Sequence, residues 1–370
     1  MAKNKLKVAI VCDWLVGIGG AERVVVEIHK LYPKAPIYTS QYDDSGIDWF
    51  NGADIRTTWL QHLPKKLKKF LPLFRAWAFS RLDLSSYDLV ISSSGAEAKG
   101  IHTGKKTTHI NYCHSPTHYY WIRPDEYLKN PGFPFGVNWL AKLGLRILIE
   151  PLKRWDKRAA KRPNYIIANS THTQNMVKRY YRRDSTVIFP PVDYDRFKLK
   201  DNPSRHGLII AGRQTPYKRF DLAIKACNDL KIPLVVIGNG PEHKKLEKIA
   251  ERNITFLTNV NDNEIIKHFQ SSLGFIMPNM DDFGIVAVEA LSAGTPVIAY
   301  QKGGALDYIK DGKNGLFFKK QTVESLTAAI ENLLKKNFNY EQISANAEIY
   351  SADNFKINLK KFIDQLSINE

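Results

Sequence analysis

A chain of 370 residues, 44% hydrophobic and 25% charged, is globular in composition and too long for one ordinary core, so two domains of roughly 150–200 residues are expected. It contains no run of about 18 apolar residues, which argues against a spanning helix. Its start, MAKNKLKVAIVCDW, passes from a basic lead straight into a strand, unlike a secretory signal. The net charge of +17 is lopsided: residues 1–200 hold 33 Lys and Arg against 17 Asp and Glu, and the remainder 21 against 20, so the N-terminal half is expected to face an anionic partner.

In chain order, apolar strand-like runs alternate with helical patterns, the signature of parallel sheets covered by helices. The first half offers strands at Val8–Cys12, Leu89–Ser92, His109–Tyr112 and Tyr165–Ala168. After the first of these, Gly17-Ile18-Gly19-Gly20-Ala21-Glu22 opens a helix. Glycines there let backbone N–H groups approach an anion, though the spacing is not that of a dinucleotide fingerprint. His114, in NYCHSPTHYY, ends the third strand and points a polar ring toward a ligand; His118 follows on the same loop. The cysteines Cys12, Cys113 and Cys227 are far apart and read as reduced thiols. No metal-ligand spacing occurs, and the chemistry is expected to need no metal or other cofactor.

Two stretches of the first half concentrate charge. Arg56 to Arg81 holds seven Lys or Arg and no acid, interleaved with Trp59, Phe70, Phe74, Trp77 and several leucines; Lys153 to Arg183 holds ten basic residues and the single acid Asp156. Aromatics beside Lys and Arg fit an anionic lipid surface, with Lys65, Lys66, Lys68, Lys69 and Trp77 facing it. Nucleic acid is the rival partner, but no zinc or RNP-type spacing supports it, and none is expected to bind.

A Pro-rich, charged segment from Phe189 to Pro203 reads as a hinge. A second alternating unit follows, with strands at Leu208–Ala211, Leu234–Ile237, Thr255–Leu257, Phe275–Met277 and Val297–Ala299. Between the first of these strands and its helix, Arg213 and Lys218 form a fork and a point charge suited to a diphosphate. Gly238-Asn239-Gly240-Pro241-Glu242 is a strand-to-helix turn with Pro at the first helical position, and Glu242 is a candidate ligand. Asp281-Asp282-Phe283-Gly284-Ile285 leads into a helix whose first N–H groups suit phosphate or sugar oxygens, with Asp282 as its cap. Glu289 stands inside that helix among Ile285, Val286, Ala287, Val288, Ala290 and Leu291. A carboxylate so placed needs partners, and a ligand rich in hydroxyl donors would supply them. The domains are expected at 1–190 and 204–350, with a final helix in 351–370 returning to the first.

Taken together, GGAE at 19–22, His-x-Pro at 114–116, GRQTPYK at 212–218, GNGPE at 238–242, DDFGIVAVEALSAGTPVIA at 281–299 and GGALDYI at 303–309 resemble the retaining glycosyltransferases of family 4. The run from YCHSP through the second domain looks most like the mannosyltransferase branch of cell-surface glycan assembly. The resemblance implies an α/β, GT-B fold: two facing Rossmann-like doubly wound domains with a cleft between them. It implies a cytoplasmic enzyme, peripheral on the inner face of the cell membrane, moving a hexose, expected to be mannose from GDP-mannose, onto a lipid-linked or oligosaccharide acceptor. A UDP-sugar donor, or a non-catalytic nucleotide-sugar-binding subunit, is the alternative. By the same resemblance Arg213 and Lys218 stabilise the leaving diphosphate, Glu289 takes the ribose hydroxyls, and Asp281 holds the donor sugar. Phe283, Gly284 and Ile285 offer main-chain N–H groups, Gly19 and Gly20 approach the phosphate, and His114 contacts the transferred sugar. Val260 ends the base-binding segment. The chain departs from the pattern at Asp281, where the family usually has Glu, and in ITFLTNV at 254–260, which lacks the usual Gly after Phe-Leu.

Overall fold

The computed structural model describes residues 6–366 apart from 18, 45–47, 64–71, 123, 125–137 and 202. The chain divides into two compact units, Met1–Phe189 with Lys356–Glu370, and Pro190–Phe355. Among the described residues each unit is built on one parallel sheet. The first contains β1 (Val8–Cys12), β2 (Ile37–Thr39), β3 (Ile55–Thr57), β4 (Leu89–Ser94), β5 (Thr108–Cys113), β6 (Tyr165–Ala168) and β7 (Thr186–Val187), in the order β3-β2-β1-β4-β5-β6-β7. The second contains β8 (Leu208–Ala211), β9 (Leu234–Ile237), β10 (Ile254–Leu257), β11 (Gly274–Met277), β12 (Val297–Tyr300) and β13 (Gly315–Phe318), in the order β10-β9-β8-β11-β12-β13. Both follow the doubly wound Rossmann order, which reverses between β1 and β4 in one unit and between β8 and β11 in the other. Ligands of such sheets bind beyond the carboxyl ends of the strands at those reversals.

All nine strands expected from the sequence are present. The four added ones, β2, β3, β7 and β13, are short or lie toward sheet edges, where a strand needs little apolar patterning. In β3, for example, Ile55 is half-buried and Arg56 and Thr57 are exposed. The final helix spans Ala352–Asp364. Its Leu359 and Ile363 are buried, Phe362 meets the Tyr165 ring edge-on at 6.1 Å, and Lys356 reaches Glu27 at 3.8 Å, all within the first unit. Cys12, Cys113 and Cys227 are free thiols in the interior.

The two sheets differ in what their centres hold. In the second unit β8, β9 and β11 read LIIA, LVVI and GFIM, packed on the apolar face of helix Phe220–Leu230. In the first, β4 and β5 bring polar groups inside: Ser92 Oγ lies 2.8 Å from His109 Nε2 and 3.0 Å from Asn111 Oδ1. The same unit holds a fully buried ion pair, Lys99 Nζ to Asp156 Oδ1 at 2.7 Å. The Asp156 carboxylate also accepts from Thr117 Oγ1 at 2.9 Å, Trp121 Nε1 at 2.7 Å and the Tyr181 hydroxyl at 2.8 Å. A buried charge is tolerated only when its partners are satisfied in this way.

Some of the basic excess is used internally. Arg75 is buried and its Nε donates to Glu97 Oε2 at 2.7 Å; Arg183 donates to the carbonyls of Ala160, Pro163 and Asn164 at 3.0–3.1 Å, and Arg162 to that of Gly100. These side chains therefore do not belong to an open basic face. Among the described residues no helix is long and apolar enough to cross a membrane.

Candidate active site

The carboxyl end of β8 continues as Gly212-Arg213-Gln214. The carboxyl end of β9 continues as Gly238-Asn239-Gly240, and the two turns are fitted together. A Cβ on Gly238 would fall 2.2 Å from the Gly212 carbonyl oxygen, and one on Gly240 2.4 Å from that of Gln214. The sequence reading passed over Gln214, yet it is fully buried and ties the turns by side chain and backbone. Its Nε2 donates to the Gly238 carbonyl at 2.8 Å, its Oε1 faces His243 Nδ1 at 2.7 Å, and its carbonyl accepts from Glu242 N at 3.1 Å. Arg213 is left exposed at the rim of this frame.

Lys218 ends a short turn, Pro216–Lys218, and Arg219 follows at φ +54° before helix Phe220–Leu230 begins. A non-glycine residue in that region is uncommon and marks a constrained backbone. Arg219 is held there by a two-point bond to Asp221, at 3.0 and 3.1 Å. The break between turn and helix keeps Lys218 out of the helix, and its Nζ meets Asp281 Oδ2 at 2.6 Å, with both side chains about a fifth exposed (22% and 19%). The structure thus brings together Lys218 and Asp281, 63 positions apart in sequence.

Asp281 belongs to the segment leaving β11, which is clamped from behind. Gly304 N donates to the Asp281 carbonyl at 2.9 Å. A Cβ on Gly303 would lie 2.4 Å from the same carbonyl oxygen, and one on Gly304 2.4 Å from the Phe283 Cα. The helix that follows is Ile285–Ser292, and its N-cap is Gly284 at φ +95°, with no side-chain cap bond. This corrects the expectation that Asp282 caps it. The left-handed turn at Gly284 begins the helix too late for Asp282, and a Cβ there would sit 2.6 Å from the Tyr308 hydroxyl. Burial pushes that hydroxyl's pKa up, and the nearby Asp281 carboxylate adds to it. Glu289 is buried in the helix (8% exposed). Asn279, also missed, is buried at the end of β11, and its Nδ2 has no hydrogen-bond partner among the described residues.

The remaining second-unit candidates sit on the β9 and β10 side. Helix His243–Ile249 starts two residues beyond Pro241, so Pro241 lies in the turn rather than at the first helical position; Glu242 is the N-cap residue. The Glu242 carboxylate accepts from Lys245 Nζ at 2.8 Å. Val260 is half-buried just past β10.

In the first unit, His114 follows β5 directly, and its Nε2 lies 2.8 Å from Ser93 Oγ. Gly19 is the N-cap of helix Gly20–Leu31, and a Cβ on it would lie 2.8 Å from Glu22 Oε2. Burial raises the Glu22 pKa, and Asp13 adds to the rise. Asp13, another residue the sequence reading missed, is the anchor of this switch point. Its carboxylate accepts from Ser94 Oγ at 3.1 Å and from the backbone N–H groups of Gly95, Ala96 and Ala98 at 2.9, 3.0 and 2.7 Å. His118 begins helix His118–Trp121. Of the residues expected to face a membrane, Lys65, Lys66, Lys68 and Lys69 lie outside the described residues. Trp77 is half exposed (50%). It stands edge-on to Trp59 at 5.8 Å, Trp59 meets Phe74 at 6.1 Å, and Arg81 lies 4.9 Å from the Trp77 ring centre.

Comparison with known proteins agrees with this division. The family model for Glycosyltransferase Family 4 matches residues 18–196, and that for glycosyl transferases group 1 matches residues 192–349. A GDP-mannose-dependent alpha-(1-6)-phosphatidylinositol monomannoside mannosyltransferase of Mycolicibacterium smegmatis is 28% identical over 207 residues, 45% of this chain and 54% of that protein. A D-inositol 3-phosphate glycosyltransferase of Mycobacterium marinum is 28% identical over 198 residues, 46% of this chain and 42% of that protein. The chain spans about half the length of the curated relatives it matches. Among solved structures, that of Anabaena HepE in complex with UDP and glucose superposes with a TM-score of 0.70 over 98% of this chain and 100% of that one, at 17% identity. The fold is GT-B, with two Rossmann-like units.

Proposed function

We propose, from the matches of residues 18–196 to the Glycosyltransferase Family 4 model and of residues 192–349 to the glycosyl transferases group 1 model, that this chain is a retaining hexosyltransferase. Its donor is a nucleotide sugar, GDP-mannose in the first instance, and its acceptor a lipid-linked or glycan hydroxyl. The observation that carries this reading is the meeting of Lys218 with Asp281 beyond the carboxyl ends of β8 and β11, eight residues before the buried Glu289. A cation for a leaving phosphate, a carboxylate for sugar hydroxyls and a second carboxylate in a dry helix for ribose hydroxyls are the groups such a donor needs.

In the reaction, the bond from the anomeric carbon to the diphosphate oxygen breaks, and the sugar acquires oxocarbenium character. Lys218 and the exposed Arg213 offset the charge that grows on the departing diphosphate. Asp281 and the N–H groups opening helix Ile285–Ser292 hold the sugar. A phosphate oxygen of the donor takes the acceptor's proton as the new bond forms on the same face. The mannosyltransferase relative supports GDP-mannose; HepE, solved with UDP, keeps UDP-sugars as the competing donors. The Trp59–Phe74–Trp77 cluster with Arg81, beside the excess basic charge of residues 1–200, supports attachment to an anionic membrane surface.

One preparation of the full chain tests both halves of this reading. Thermal melts with GDP-mannose, UDP-glucose and the free nucleotides should rise for the true donor by mass action, with GDP-mannose giving the largest shift. Flotation with anionic vesicles should succeed at low salt and fail at high salt. A melt indifferent to every nucleotide and nucleotide sugar refutes the transferase reading, and flotation independent of lipid charge refutes the membrane.

A further inference from the structure

Lys218 Nζ and Asp281 Oδ2 pair directly at 2.6 Å, and the backbone around Asp281 is pinned by Gly303 and Gly304. A phosphate oxygen in hydrogen-bond reach of the same Nζ would lie within roughly 6 Å of the Asp281 carboxylate, and like charges at that separation oppose one another. We infer that Asp281 competes with the nucleoside diphosphate for Lys218, and so expels the spent nucleotide after transfer. This inference rests on the donor site proposed above.

The competition depends on what the sugar offers. While the donor is intact, its hydroxyls donate to Asp281, and the carboxylate exchanges an ammonium partner for neutral ones. The phosphate then takes Lys218. Once the sugar has left, those hydroxyls are gone, and the Lys218 ammonium, 2.6 Å from Asp281 Oδ2, is the charged donor that takes their place. The diphosphate loses its cation to an internal carboxylate. An Asp, with its short side chain, suits this role because it reaches Lys218 directly from a fixed backbone.

The test is calorimetric, at low ionic strength, with the full chain, GDP and UDP as products and GDP-mannose as donor. For Asp281→Asn, isosteric but uncharged, the product nucleotide should bind about tenfold more tightly, and the gain should shrink as salt is added. The intact donor should not share the gain, since its sugar loses a charged acceptor. Asp281→Ala should repeat the product result if the side chain's charge is the cause. A purely structural role would shift product and donor together. Product affinity unchanged or weakened in both variants, with wild-type binding intact, overturns the competition and leaves the donor site standing. No nucleoside diphosphate binding by the wild-type chain overturns both.

Discussion

Each half of the molecule contains a Lys–Asp ion pair of nearly the same length, and the two do different work. Lys99–Asp156 spans 2.7 Å with side chains 1% and 0% exposed; Lys218–Asp281 spans 2.6 Å with 22% and 19%. Distance alone does not distinguish them. Around Asp156 the chain has spent a threonine, a tryptophan and a tyrosine as further donors, and Lys99 also donates to Thr117 Oγ1 at 3.0 Å and to the Ala96 carbonyl. That pair is closed, and its charge belongs to the fold. The second pair lies at a sheet's ligand-binding end with solvent beside it, so a bound molecule can exchange with either member. Asp13 extends the contrast: at the first unit's switch point, backbone N–H groups of the kind that bind a ligand anion elsewhere are occupied by the protein's own carboxylate.

Breaking the two pairs in parallel gives the largest effects. Asp156→Asn leaves the Lys99 ammonium buried beside a neutral amide, and the expected loss is about 3–5 kcal/mol of stability. Urea denaturation followed by tryptophan emission reads this directly. All seven tryptophans, from Trp14 to Trp155, precede residue 190, and Trp121 donates to Asp156 itself. Lys218→Ala should cost less stability than Asp156→Asn, read by far-ultraviolet dichroism, because solvent reaches this partly buried pair and can take over the Asp281 charge, while lowering turnover by about two to three decades. If Lys218→Ala melts the protein as severely as Asp156→Asn, or leaves turnover near the wild-type value, the division into a structural and a functional pair is wrong.

The same contrast explains what could be read from the sequence. Apolar runs announced nine strands, the centres of both sheets and the edge strand β10 among them, because a strand covered on two faces is rich in apolar residues. The edge strand β3, with one half-buried apolar residue, carries no such demand and went unseen. Arg213, Lys218, Asp281 and Glu289 stood out because charge beside glycine turns or inside an apolar helix is costly without a ligand. Asp13, Lys99, Asp156 and Gln214 did not, since their partners lie far along the chain: Asp13 is bonded to Ser94 through Ala98 and Lys99 to Asp156. Local sequence gives no sign that such distant groups converge. It also misplaced the cap of helix Ile285–Ser292, where the left-handed turn at Gly284 and its contact with Tyr308 decide the geometry.

A smaller effect separates the two units by pH. His109 sits between β4 and β6 in the first sheet, its Nε2 at 2.8 Å from Ser92 Oγ and its buried Nδ1 without a partner among the described residues. Burial, with some help from Arg162, holds its pKa near about 3, against an ordinary 6.5. The folded state therefore resists a proton that the unfolded chain accepts. Its contribution to stability is complete above pH 6.5 and is lost progressively as pH falls toward 3, at about 1.4 kcal/mol per pH unit. His29 and His102, also pushed down by burial, lie in the same unit, whereas β8, β9 and β11 hold no titratable side chain. On acidification the tryptophan signal, which reports the first unit alone, should change before the far-ultraviolet dichroism of the whole chain. His109→Gln, which keeps a polar group near Ser92 but cannot take the proton, should move the tryptophan midpoint to lower pH. An unchanged midpoint would mean that the imidazole is protonated in the folded protein without penalty, and that the polar centre of the first sheet is not the acid-sensitive part of the molecule.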